Sequence, residues 1–148
     1  MVQNLEPKMT VAQLDVLMRL TFPQAFHDGG PFEITDVFPS GAVLQLNPQE
    51  AHLRHGGTVS GPTMFALADV AGYLAILAHV EGATGTVTAN MNINFLRKPE
   101  FAALYARSHI LRLGRLTAVT ETSIHALSDD TLVAHATATY SMPPVKKL

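Results

Sequence analysis

The chain has 148 residues, a net charge of −2 and no cysteine. Its length predicts a single domain, residues 1–148, long enough to bury a real core. The charge gives no electrostatic case for nucleic acid or an anionic membrane, and the missing cysteines exclude a disulfide framework and thiolate metal sites, which suits a cytoplasmic protein.

The first residues, Met1 to Lys8, lack the charged-then-apolar pattern of a signal peptide. Thr10 is positioned to cap a first helix that runs to about Leu20. Val11, Leu14, Leu17 and Met18 have helical spacing, and Pro23 ends the helix. Residues 1–25 therefore form an N-terminal helical extension. Two short strands follow, Phe32–Phe38 and Ala42–Leu46, broken by Pro39-Ser40-Gly41. A polar loop from Asn47 to Ser60 leads into a long apolar segment that opens with Ser60-Gly61-Pro62, with Pro62 at the first helical position, and stops near Gly82.

Beyond Gly82 the apolar period changes to two. Strands are expected at Thr86–Leu96, Leu104–Leu113, Leu116–Leu127 and Leu132–Met142, with a hairpin turn at Ser128-Asp129-Asp130-Thr131. The tail from Pro143 to Leu148 is expected to fray. The order is helix, two strands, long helix, four strands. One antiparallel sheet wrapped around one apolar helix is the simplest arrangement that buries the long helix on several sides.

Asp69 is the only ionised side chain between Pro62 and Ala78. A carboxylate on a mostly buried helix is costly unless it is paired, hydrogen-bonded or used. The segment approaches membrane-spanning length, but Asp69, Gly72 and its many alanines favour a buried core helix. A free helix N-terminus and a carboxylate on one helix suggest chemistry on a carbonyl group.

Two stretches carry a family resemblance: Gly57-Thr58-Val59-Ser60-Gly61-Pro62-Thr63-Met64-Phe65-Ala66-Leu67-Ala68-Asp69, and Val87-Thr88-Ala89-Asn90-Met91-Asn92-Ile93-Asn94-Phe95-Leu96-Arg97. Leu113-Gly114-Arg115 and the run Leu132 to Tyr140 fit as well. From about Gly30 to Pro143 the chain resembles the PaaI-type acyl-CoA thioesterases of the hotdog-fold superfamily. The resemblance implies an α+β hotdog fold, an antiparallel sheet around a long central helix, preceded here by an N-terminal helix. It also implies hydrolysis of coenzyme A thioesters in a homodimer or homotetramer with active sites between subunits. Coenzyme A enters as part of the substrate, and no cofactor or metal is implied.

The family motif is commonly His-Gly-Gly with the acid nine positions after the His. Counting back nine from Asp69 gives Ser60, so this chain has Ser60-Gly61-Pro62 there. His55-Gly56-Gly57 spells the motif but lies fourteen residues before Asp69, and equivalence would need a five-residue insertion. Many members carry an Asn six residues before the motif His, where this chain has Arg54.

By that resemblance Asp69 is the catalytic carboxylate, either general base for a water or direct nucleophile. Gly61 is the family's oxyanion donor, and its turn is read as a tight approach that admits no side chain. Thr88 is either a hydroxyl that holds the attacking water or an ordinary β-branched strand residue. Ser60 reads as a helix cap at the edge of the substrate site. His52 and His55, three apart, have the spacing to hold a metal with Asp69 as a third ligand, but two loop histidines are a weak signal and they read as surface histidines, with His55 at the pocket mouth. Arg97, Lys98, Arg112 and Arg115 at strand ends are candidates for coenzyme A phosphates, against the ordinary reading of solvated strand-end charges, and Arg54 either replaces the missing Asn near the thioester or reaches a phosphate. Met64, Phe65 and Tyr73 line the pocket or pack the helix. Asp130 and His135 have the spacing of hotdog hydratases, but span a turn and a strand rather than entering the central helix. The alternatives to a thioesterase are such a hydratase or a non-catalytic acyl-CoA-binding protein.

Overall fold

Thr10 and Gln13 close the first helix reciprocally. The Thr10 hydroxyl accepts from the Gln13 N–H at 3.2 Å, and the Gln13 side chain accepts from the Thr10 N–H at 2.9 Å. This capping box satisfies two N–H groups that the helix itself leaves unpaired. The computed structural model describes residues 4–144. Helix α1 spans Val11–Thr21 and buries Leu14 and Met18.

Strands β1 (Phe32–Phe38) and β2 (Gly41–Leu46) form a hairpin whose turn holds Ser40 in the left-handed region, at φ 64°. The long helix α2 spans Gly61–His79, and strands β3 (Val87–Phe95), β4 (Leu104–Leu113), β5 (Thr117–Ala126) and β6 (Leu132–Ser141) follow. Each expected element is present to within about a residue or two. Two short 3-10 turns, Glu50–His52 and Ala83–Gly85, were not anticipated. Gly61 rather than Pro62 is the first helical residue of α2. Pro143 and Pro144 lie outside any strand, and residues 145–148 of the expected frayed tail lie outside the described residues.

The six strands form one antiparallel sheet in the order β1-β2-β4-β5-β6-β3. The connection through α2 thus carries the chain from β2 to the opposite edge. The sheet curls around α2, the hotdog arrangement, and Leu67, Leu74, Ala75 and Ile76 are fully enclosed. Each large aliphatic side chain so buried contributes about 1.5–3 kcal/mol. Helix α2 is long and apolar enough to cross a membrane by composition, yet here it is the core of the sheet.

Enclosure is not complete. Pro62, Phe65, Ala66, Asp69, Val70 and Tyr73 retain exposure, and their spacing places them on one helical stripe. Asp69 is therefore half-buried on the open face of α2, rather than sealed in the core as the apolar run implied.

Candidate active site

Thr88 on β3 and Tyr140 on β6 are direct cross-strand partners. Residues opposed in this way project to the same face of the sheet, here toward α2. The Thr88 hydroxyl donates to Asp69 Oδ1 at 2.5 Å. The Tyr140 hydroxyl donates to the Asp69 main-chain oxygen at 2.7 Å and lies 3.4 Å from Oδ1. A register shift between Thr88 and Asn90 marks a bulge immediately beside this contact, a device that re-aims side chains at strand edges. Burial, and after it the Asp69 charge, push the Tyr140 phenol well above its ordinary pKa, so it stays protonated and donates.

Asp69 and Thr88 open onto a cavity of about 380 Å³, whose walls include Phe22, Val70, Tyr73 and Val87. Phe22 comes from the end of the N-terminal extension, where its N–H bonds to the Met18 carbonyl. Tyr73 is fixed by a 2.7 Å bond from its hydroxyl to the Thr84 carbonyl. A carboxylate with a hydroxyl on one oxygen, facing a cavity, is an arrangement able to activate a water or attack a carbonyl.

The start of α2 forms a second locus. Ser60 is the N-cap, accepting from the Thr63 N–H at 3.3 Å and exchanging a 2.7 Å hydroxyl bond with Thr63. This is the capping role expected of it, a type of contact that contributes about 1 kcal/mol. The Gly61 N–H takes no partner among the described residues. It sits at the positive end of the helix dipole. A cavity of about 420 Å³ lies here, lined by Gly61, Arg54, Met64, Phe95, Arg97 and Lys98, among others.

The structure does not show the tight approach read at Gly61. Its φ is not in the left-handed region, and an added Cβ would meet the Phe95 ring at 3.5 Å, an ordinary contact. The left-handed glycines of the loop before α2 are Gly56 and Gly57, at φ 100° and 84°. They form the tip of a small loop closed by the Leu53–Val59 bridge and by the Arg54 N–H bond to Thr58. His55 is exposed on that tip, before the helix begins.

Asp69 and Gly61 do not meet within one chain. Eight residues separate them along α2, about 12 Å of rise, and they line different cavities. Arg54 and Arg97 lie together at the start of α2. Arg115 lies beyond its far end, beside Val80, Glu81 and Gly82.

The other histidines have local partners. His52 Nδ1 accepts from the Gln49 N–H at 2.8 Å. His135 pairs with Glu121 at 2.7 Å, whereas Asp130 accepts from the Tyr105 hydroxyl at 2.9 Å. The hydratase-like spacing of Asp130 and His135 therefore assembles no joint site. Among the described residues no three His, Asp or Glu side chains converge as a metal site would require. A somewhat larger groove, about 470 Å³, runs between α1 and the C-terminal end of α2 past Met9, Leu17 and Leu77, and none of the nominated residues reaches it.

Sequence reasoning missed Tyr140 and Phe22 as members of the site. Tyr140 is the one large residue among Ala134, Ala136 and Ala138 on the inner face of β6. That pattern reads as core filling, and only the topology brings its hydroxyl to Asp69.

The model of the thioesterase superfamily matches residues 56–133, a stretch that contains Ser60, Gly61, Asp69, Thr88, Arg97 and Arg115 and ends before Tyr140. Among solved structures, a candidate thioesterase from Silicibacter is 39% identical over 96% of this chain and 97% of its own, with a TM-score of 0.84. A candidate thioesterase from Ralstonia eutropha, described as phenylacetic acid degradation-related, is 27% identical over 74% of this chain and 83% of its own, with a TM-score of 0.69. A thioesterase from Haemophilus influenzae covers 98% of both chains with a TM-score of 0.82 at 22% identity, a likeness of fold alone. No curated protein matches the chain.

Proposed function

The chain belongs to the thioesterase superfamily, and from that premise we propose that it hydrolyses acyl-CoA thioesters with Asp69 as the catalytic carboxylate, in sites shared between two copies of the chain. Thioester hydrolysis is the general activity of the superfamily. The coenzyme A ester, the residue roles and the shared site are our reading.

The observation that carries the proposal is the bond between Thr88 and Asp69 at the edge of a cavity of mixed polar and apolar lining. The hydroxyl occupies Oδ1, and Oδ2 has no partner among the described residues. Acting as a base, Asp69 takes a proton from water as the water oxygen bonds to the acyl carbon. The C–S bond then breaks, and the departing thiolate takes that proton from Asp69 to leave as the thiol, which restores the carboxylate. In the nucleophilic variant, the carboxylate itself bonds to the acyl carbon, the C–S bond breaks and the thiolate departs. Water then cleaves the resulting anhydride, which returns the Asp69 carboxylate, frees the acyl acid and supplies the proton that the thiolate takes up. A main-chain N–H at a helix start, as at Gly61, suits the negative charge that develops on the carbonyl oxygen.

The separation of Gly61 from Asp69 is the reason for invoking a second copy. Strand β3 is an unpaired sheet edge with both faces largely exposed. Val87, Phe95 and Leu96, with Phe65 on α2, keep 61%, 50%, 52% and 39% of their surface exposed. An edge strand beside such a patch favours self-association. A two-fold pairing places Gly61 of one copy near Asp69 of the other when the two α2 helices run antiparallel. Arg54, Arg97 and Lys98 around Gly61 supply cations for coenzyme A phosphates.

A thiol-release assay over a panel of acyl-CoA esters tests the activity, with N-acetylcysteamine thioesters of the same acyl groups as phosphate-free controls. The reading expects release from acyl-CoA esters and much poorer turnover of the truncated thioesters. No release from any ester would overturn it, and equal turnover of both kinds would overturn the coenzyme A assignment.

A further inference from the structure

We propose that Tyr140 is a positioning residue for Asp69, and that Gly72 is a glycine because the Tyr140 hydroxyl occupies the space a side chain would take. The inference rests on Asp69 being the catalytic carboxylate.

Tyr140 is 1% exposed, so it cannot itself contact a substrate in the cavity. Its hydroxyl reaches α2 at the turn that carries Asp69, bonding the main-chain oxygen at 2.7 Å and lying 3.4 Å from Oδ1. Its single proton goes to the main-chain oxygen, at the shorter distance, and so fixes the backbone of Asp69, while Oδ1 lies beside the phenol oxygen. Its cross-strand partner Thr88 holds Oδ1 from the other side. With its backbone held by Tyr140 and Oδ1 held by Thr88, the carboxylate is oriented so that Oδ2 is left to act on the reacting water or carbonyl. Pre-organisation of this kind removes a reorganisation cost from the catalytic step.

Gly72 supplies the independent observation. It lies in the interior of α2 and is fully enclosed, a place where glycine is unfavourable for a helix. A Cβ built there would overlap the Tyr140 hydroxyl and come within 3.0 Å of both Thr120 Oγ1 and Tyr140 Cε2. The helix therefore bears a weak helix former one turn after Asp69, at the point where the phenol must pass. Burial foremost, and then the Asp69 charge, raise the phenol's pKa, so the donor proton persists over the working range.

The test compares kcat, KM and thermal melting for the full-length protein and its Tyr140→Phe, Gly72→Ala, Tyr140→Phe/Gly72→Ala, Asp69→Asn and Thr122→Val variants. Thr122→Val removes a buried hydroxyl bond, to Ser108 at 3.0 Å, elsewhere in the sheet. Tyr140→Phe is expected to lower kcat roughly tenfold with KM unchanged within about twofold. Gly72→Ala should lower kcat by displacing the phenol, and should lower it little further once the hydroxyl is gone. Thr122→Val should lower the melting temperature and leave kcat at the parental value. Parental kcat in Tyr140→Phe, alongside an active parent and an inactive Asp69→Asn, would overturn this inference alone. So would equal losses of kcat in Tyr140→Phe and Thr122→Val. If Tyr140→Phe does not fold, parental kcat in Gly72→Ala overturns it. A parent that releases no thiol would overturn the catalytic reading as well.

Discussion

Thr88 and Tyr140 face each other across the β3–β6 ladder and direct two hydroxyls at Asp69, one to Oδ1 and one to its main-chain oxygen. The pairing makes the carboxylate's environment a property of sheet register. A slip of one residue in β3 would turn Thr88 to the other face of the sheet and break the arrangement. The bulge after Thr88 sits where that register is set.

Thr88→Val keeps the β-branched shape and removes the donor. It should lower kcat about 3–10-fold, the equivalent of one hydrogen bond of about 0.5–1.5 kcal/mol, while Thr88→Ser retains most of the parental rate. Steady-state kinetics on the best ester decide the matter. Parental kcat in Thr88→Val would reduce Thr88 to a strand former.

Assembly is a second expectation. Light scattering at micromolar concentration should give a dimer or tetramer. Phe95, half exposed on the open edge, is a site where a charge should oppose pairing. Phe95→Lys should shift the protein toward monomer and lose activity in step with the shift. A monomeric parent with full activity would contradict the shared site.

Gly61 and His55 separate two readings of the loop before α2. His55 is exposed ahead of the helix, so His55→Ala should keep kcat within about tenfold, or 1.4 kcal/mol. Gly61→Ala fits sterically within the chain, since its Cβ meets only Phe95 at ordinary distance. It should therefore fold and melt normally. Its added methyl would still crowd a carbonyl approaching the N–H, so its kcat should fall further than that of His55→Ala. The reverse ranking would move the oxyanion donor to Gly56.

Phe22 links the N-terminal extension to substrate choice, because it forms a wall of the cavity at Asp69. Phe22→Ala should widen that space and shift the preferred ester toward longer or bulkier acyl groups, read as kcat/KM across the panel. An unchanged preference would place the acyl group elsewhere.

Much of this arrangement was legible in the sequence. The period-two runs delimited the strands, the apolar run with Ser60 ahead of it delimited α2, and Asp69 stood out as its sole charge. What the sequence could not carry was long-range geometry. Strand β3 lies beside β6 rather than β2, and no local pattern announces that. Tyr140 therefore read as core, and Gly72 as one small residue among alanines. Arg115 looked equivalent to Arg54 and Arg97, yet the length of α2, about 27 Å by its rise, lies between them. Gly61 read as a tight turn because glycine before proline usually does, whereas here its value lies in its position at the helix start.

The most direct measurement of the central claim is the rate of thiol release by Asp69→Asn on the ester that the parent turns over best, with assembly and melting measured on the same samples. Asparagine preserves the shape and an oxygen for Thr88, and removes the negative charge. If Asp69 drives the attack, kcat falls by roughly 10²-fold or more in a protein that assembles and melts like its parent. A parental kcat in that variant would contradict the account.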